Sequence, residues 1–171
     1  MAAIKLVLDT NIVLDWLVFS HVSMNALQKG TEGRRITVIT YPPALDELRR
    51  VLTYPQFKLD ASRQSEVLDA YQALAATATL PEGFSLDHLM LPAKFPRCRD
   101  RDDEHFLALA YHTGADALVS KDKAVLRLRK RARIFGVNIL NVQQLNEMAQ
   151  SPVSLDRTAQ GEESIGWVST Q

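Results

Sequence analysis

The chain of 171 residues has one cysteine, Cys98. A lone thiol closes no internal disulfide, so burial must hold the fold together, and a reducing cytoplasm is the expected setting. Cys98 itself reads as a small buried side chain. No apolar run approaches the roughly 20 residues that span a bilayer. The opening nine residues carry one lysine and a short apolar run ending in a carboxylate, which is not the pattern of a secretory signal. Charge of one sign is also missing: 20 Lys and Arg balance 20 Asp and Glu. That argues against holding nucleic acid by one strong general field, but allows local basic patches beside an acidic centre. There is no Gly-rich phosphate loop, so no nucleotide cofactor is expected. The histidines His21, His88, His105 and His112 lack the spacing of a zinc site and read as surface residues. No Ser–His–Asp set is legible.

What is present suits one soluble globular domain: 46 % hydrophobic and 23 % charged residues at a length that supports a proper core. Ile4–Leu8 (I-K-L-V-L) and Ile36–Thr40 (I-T-V-I-T) are short, apolar and β-branched, as buried parallel strands are. Helical spacing predicts helices over 12–19 and 23–29, with Gly30 and Gly33 marking a loop. Pro42 and Pro43 suit the first turn of a helix over 43–52, where a missing N–H is harmless. The longest helix is expected over 61–78, with Val67, Leu68, Tyr71, Leu74 and Ala75 as its apolar stripe. Residues 81–101 read as irregular and hold Pro81, Pro92 and Pro96. A helix starting at Asp102 or Asp103 runs to Gly114, its C-terminal stop. Strands over 115–120 and 137–140, a short basic helix or turn over 124–131 and a helix over 142–149 complete the domain. Residues 154–171 are polar and expected to be a disordered tail containing Trp167. Strands alternating with helices imply a three-layer α/β/α sandwich around a mainly parallel sheet.

Such sheets bind ligands at the carboxyl ends of their strands. Asp9 ends the first strand, and Asp122 lies just past the strand over 115–120. Asp100, Asp102 and Asp103 start the helix leading into that strand. Glu47 lies one turn into the helix after Ile36–Thr40, while Asp46 points about 100° away round it. Each acid has a plain alternative: Asp9, Asp102 or Asp103 and Asp122 as helix caps, Glu47 as a solvated side chain. Those alternatives do not explain why four acids recur at one sheet edge. Carboxylates held close need raised pKa values or hard divalent cations, which take oxygen ligands.

Four segments carry a family resemblance: L-V-L-D-T-N at Leu6 to Asn11, Y-P-P-A-L-D-E-L-R-R-V-L at Tyr41 to Leu52, C-R-D-R-D-D-E-H-F-L-A-L-A at Cys98 to Ala110, and G-A-D-A-L-V-S-K-D at Gly114 to Asp122. Together they resemble the PIN domain, in its branch of toxin components of toxin–antitoxin pairs. The resemblance implies a Mg²⁺- or Mn²⁺-dependent ribonuclease with RNA as substrate, an antitoxin as possible partner and homodimerisation. It implies Asp9, Glu47, Asp103 and Asp122 as the acidic set, Asp103 being preferred to Asp102 by helix register. Asp100 is the reserve metal ligand, and Asn11 and Ser120 support the first and last acids. Two departures stand out. Glu104 and His105 follow the third acid, with Glu104 expected to add charge near the centre, and Lys121 precedes Asp122, where it meets either phosphate or solvent. Arg127, Arg129, Lys130, Arg131 and Arg133 form one basic run that suits the RNA backbone; Lys94, Arg97, Arg99 and Arg101 form another. Tyr41 and Tyr54 read as packing residues rather than base-stacking ones. A receiver-like phosphoryl-transfer protein and a non-catalytic domain that binds RNA or assembles with partners are the competing readings. The first has no use for Glu47, and the second would not need every acid.

Overall fold

Ile4–Leu8 (β1) and Ile36–Thr40 (β2) form with the bounds their composition predicts, and they pair in parallel with Leu6 opposite Val38. The computed structural model describes residues 2–79 and 89–150. Pro81, His88 and the tail with Trp167 therefore lie outside the described residues. Between β1 and β2 run helices α1 (Thr10–Leu17) and α2 (Asn25–Glu32). Gly30 belongs to α2 instead of a loop and is buried there, because the helix lies close on β2: a Cβ on Gly30 would sit 2.4 Å from Ile36 Cδ1. After β2, α3 (Pro42–Leu52) opens on its two prolines as expected.

The stretch over 61–78 is not one helix. It divides into α4 (Ala61–Leu74) and a short strand, β3 (Ala75–Thr77), that pairs with β2. Alanine favours helix, but the open edge of β2 offers backbone partners. Val38 stands opposite Ala75, and the Ala78 N–H reaches the Thr40 carbonyl at 2.8 Å. Satisfying that edge outweighs local propensity. Of the expected stripe, Val67 and Tyr71 are buried, Leu74 is 38 % exposed, and Ala75 has left the helix.

The remaining elements are α5 (Glu104–Thr113), β4 (Ala117–Val119), α6 (Lys123–Leu126), α7 (Arg129–Arg133), β5 (Ile139–Leu140) and α8 (Val142–Gln150). A single 3₁₀ turn, Arg101–Asp103, precedes α5. Gly114 ends α5 at φ +59°, a left-handed conformation that glycine adopts without a Cβ penalty. The sheet order is β3-β2-β1-β4-β5, all parallel.

Alternation along the strands sorts the core into two layers. Leu6, Leu8, Val38, Ala117 and Val119 face α1, α2, α3, α4 and α8, through Ile12, Leu27, Leu48, Tyr71 and Leu145. Val7, Ile39 and Leu118 face α5, α6 and α7, through Leu107, Val125 and Ala132. This is the three-layer α/β/α sandwich that the sequence implies. Leu107 is fully buried, so Leu107→Ala is expected to destabilise the fold by about 2–5 kcal/mol in a denaturant titration. Among the described residues, no helix is long and apolar enough to cross a membrane.

The strand order determines where a ligand can enter. From β1 the chain leaves through α1 and α2 towards β2; from β4 it leaves the other way, through α6 and α7 towards β5. Neighbouring strands whose connections diverge leave a crevice at their carboxyl ends. Here those ends are Asp9 and Ser120.

Candidate active site

Asp9 directly follows β1 and caps α1. It is 3 % exposed. Its Oδ1 accepts the backbone N–H of Asn11 at 3.2 Å, and its Oδ2 accepts the Ser120 hydroxyl at 2.7 Å. Ser120, fully buried beyond β4, also accepts the backbone N–H of Asp122 at 3.0 Å. One hydroxyl therefore ties the acid after β1 to the acid after β4. Burial raises the Asp9 carboxyl above its ordinary 3.8; the bonds from Ser120 and Asn11 oppose this, and the charges of Glu47 and Asp122 add to it. Asp122 caps α6, its Oδ1 accepting from Ala124 N at 2.6 Å and Val125 N at 3.2 Å. The cap alternatives for Asp9 and Asp122 are thus physically present. They do not exhaust these groups, because a carboxylate has lone pairs left after one or two N–H bonds.

Glu47 projects from α3 towards the same edge. Its Oε1 accepts the Thr10 hydroxyl at 2.7 Å, and its Oε2 lies 2.5 Å from His105 Nε2. Burial pushes its carboxyl up, but the hydrogen bonds from His105 and Thr10, with the nearby Arg50 charge, outweigh it, so the net shift is downward. Asp46 faces away and pairs with exposed Arg49, as the helix geometry requires. Asp103 lies just before α5, and its side chain makes no capping bond there. Its carboxyl is raised from 3.8 to about 7, first by burial and then by the charges of Asp9, Asp122, Asp100 and Glu47. Asp102 is exposed and offers its backbone N–H to Asp100 Oδ1 at 3.0 Å. The structure therefore brings Asp9, Asp122, Asp100 and Glu47 into the electrostatic neighbourhood of Asp103.

Several expectations need correction. The Asn11 side chain is exposed, and it is the Asn11 backbone N–H that reaches Asp9. Glu104 turns away from the centre: Oε1 accepts the Cys98 N–H at 3.2 Å and Oε2 pairs with Arg97 at 3.3 Å, since a neighbouring cation and an amide attract it more than four carboxylates. Lys121 is exposed, as its solvated alternative expects, and it also pairs with Asp15 at 2.5 Å. His105 is no surface histidine; it touches Glu47. Thr10 is the other partner that sequence patterning missed, although its place beside Asp9 in D-T-N was a signal. Tyr41 is buried with its hydroxyl donating to the His105 carbonyl at 3.3 Å, and Tyr54 stacks on Phe57, so both pack as expected. In the basic run, Arg127, Lys130, Arg131 and Arg133 are exposed, while Arg129 is half-buried, its Nε without a partner among the described residues.

The donor set is all oxygen, carries several charges at one edge, and keeps Asp103 without a capping bond. That chemistry fits a hard divalent cation, whose charge would offset both the burial and the acidic neighbours that raise Asp103. Among the described residues, no three His, Cys, Asp or Glu side chains already stand as a ready-made metal site.

Fold and site together define a class: a parallel-sheet α/β protein with an acidic centre at its topological switch point. A PIN domain family model matches residues 5–124, more than half of the chain, and the chain belongs to the PIN domain family. PIN domains are generally nucleases, and they generally use divalent metal ions. No curated protein and no solved structure matches the chain.

Proposed function

We propose that this PIN domain is a Mg²⁺- or Mn²⁺-dependent endoribonuclease that hydrolyses internucleotide bonds of RNA. What supports the reading is the Ser120 hydroxyl joining Asp9 and Asp122 at the β1/β4 crevice, beside an Asp103 carboxyl raised to about 7 by burial first and then by the charges of Asp9, Asp122, Asp100 and Glu47. Asp9, Asp103 and Asp122 would hold the cation with Glu47, and Asp100 stands in reserve. The chemistry such an ion supplies when bound is activation of a water and stabilisation of the leaving oxygen of a phosphodiester. The chain's own groups do the rest. Ser120 fixes Asp9 and the Asp122 backbone relative to each other. Thr10 and His105 hold Glu47. Arg127, Arg129, Lys130 and Arg131, on the segment that leaves Asp122, supply cations for the RNA backbone without reading its bases. Lys121, already paired with Asp15, contributes less to that contact than the arginines.

The finer reading follows from the sequence resemblance: a cytoplasmic toxin, restrained by an antitoxin and working as a homodimer. A small antitoxin-like reading frame beside this one would support it. The enzymatic core is tested by incubating the protein with mixed RNA. Internal cuts are expected with Mn²⁺ or Mg²⁺, and none in excess EDTA. A second reading, a non-catalytic domain that binds RNA or assembles with partners, draws on the lack of a ready-made three-donor site among the described residues. Calorimetry separates the two: no heat on Mn²⁺ titration, with no cation-dependent cleavage, would favour the second.

A further inference from the structure

His105 closes a bridge between three helices. It sits in the first turn of α5, and its Nε2 lies 2.5 Å from Oε2 of Glu47 on α3. The other oxygen of the same carboxylate accepts the hydroxyl of Thr10, the first residue of α1, at 2.7 Å. Glu47 is thus gripped on both oxygens by donors from two other helices.

The imidazole is itself held in place. The Tyr41 hydroxyl donates to the His105 carbonyl, and the Tyr41 and Phe106 rings lie 5.9 and 3.9 Å from the imidazole, centre to centre. Its Nδ1 is buried and, among the described residues, has no hydrogen-bond partner. A proton there would be a buried N–H with nothing to accept it, at a cost of about 1–3 kcal/mol. A bare lone pair at Nδ1 is the cheaper orphan. The neutral tautomer that suits this pocket carries its proton on Nε2, pointing at Glu47.

We propose that His105 is a positioning residue for phosphodiester cleavage: its Nε2–H, opposite the Thr10 hydroxyl, holds the Glu47 carboxylate in the orientation the site uses. The inference rests on the nuclease reading above. A carboxylate whose plane is set by two donors loses little freedom when substrate and cation arrive, which is where outer-shell partners act. His105 does this through Glu47 and touches no reacting atom.

The test compares His105→Leu, which keeps bulk but has no donor, with His105→Gln, whose amide N–H can reach towards the same oxygen. His105→Leu is expected to lower kcat by about 10–100-fold and weaken Mn²⁺ binding about 10-fold in calorimetry. KM for RNA should stay within about twofold, because no backbone-binding group is removed. His105→Gln should recover most of the kcat. Independently of activity, the ¹⁵N spectrum of the cation-free wild-type protein at pH 8 should show His105 protonated on Nε2, with that signal moving in Glu47→Gln. A proton on Nδ1 instead, wild-type kcat in His105→Leu, or a folded His105→Gln as impaired as His105→Leu would each overturn the inference. The two readings fail differently. Absence of cleavage by the wild-type protein sinks the nuclease reading and this role with it. Wild-type cleavage that His105→Leu leaves unchanged sinks this role alone.

Discussion

Asp9→Asn should lower cation-dependent RNA cleavage by at least about 100-fold, the scale on which losing one electrostatic group at a reacting centre is felt, and should leave the fold intact. Asparagine caps a helix about as well as aspartate, so α1 keeps its start. The carbonyl oxygen of Asn can still accept the Asn11 N–H. The amide would then face Ser120, whose oxygen can accept it by rotating its own proton away while retaining the Asp122 N–H. The variant also removes a charge from a site that is 3 % exposed, which relieves a desolvation cost. The Ser120 proton so displaced is a buried donor that has lost its acceptor, at a cost of about 1–3 kcal/mol, which offsets that relief, so the thermal midpoint in EDTA should stay within about 5 °C of the wild type. This variant separates the two roles of Asp9. If the residue only capped α1, Asn would cap equally well and cleavage would persist. Full activity in Asp9→Asn would sink the proposed site.

The second large effect is on stability. The Asp103 carboxyl is raised from 3.8 to about 7 by burial and by its acidic neighbours. Between those values the unfolded chain gives up a proton that the native protein keeps. The unfolded state then binds fewer protons, so stability falls as pH rises. The contribution is complete below about pH 4 and gone above about pH 7. Asp9, also raised, acts in the same direction. Cation-free protein should therefore melt lower at pH 8 than at pH 5. Asp103→Asn should flatten that slope and raise the pH 8 midpoint by roughly 3–6 °C, for about 1–2 kcal/mol after allowance for the partial solvent exposure of this carboxyl. Mn²⁺ should stabilise the wild type more at pH 8 than at pH 5, and Asp103→Asn much less at either. A variant whose melting tracks the wild type across this range in EDTA would remove the case for a charge-strained centre.

The strands β1 and β2 were legible to the residue because short runs of Ile, Val, Leu and Thr have no other comfortable state. β3 was hidden because Ala75, Ala76 and Thr77 continue a helical pattern, and only the open edge of β2 turned them into a strand. The acids were legible by position, at strand ends and helix starts. Their partners were not. Ser120 and Asp9 are 111 residues apart, and His105 and Glu47 are 58 apart. Glu104 is adjacent to Asp103, yet its charge goes to Arg97.

By itself the sequence determined the alternation of strands and helices and which residue types stand at their ends, because propensity, periodicity and capping act over a few neighbouring residues. The tertiary structure decided that β1 lies beside β4, so that Asp9 and Ser120 meet. It also decided that Glu47 is held by Thr10 and His105, and that Asp103 stands where four other carboxylates resist its ionisation. Those outcomes depend on which faces bury against which, and burial is settled only when the whole sheet is assembled.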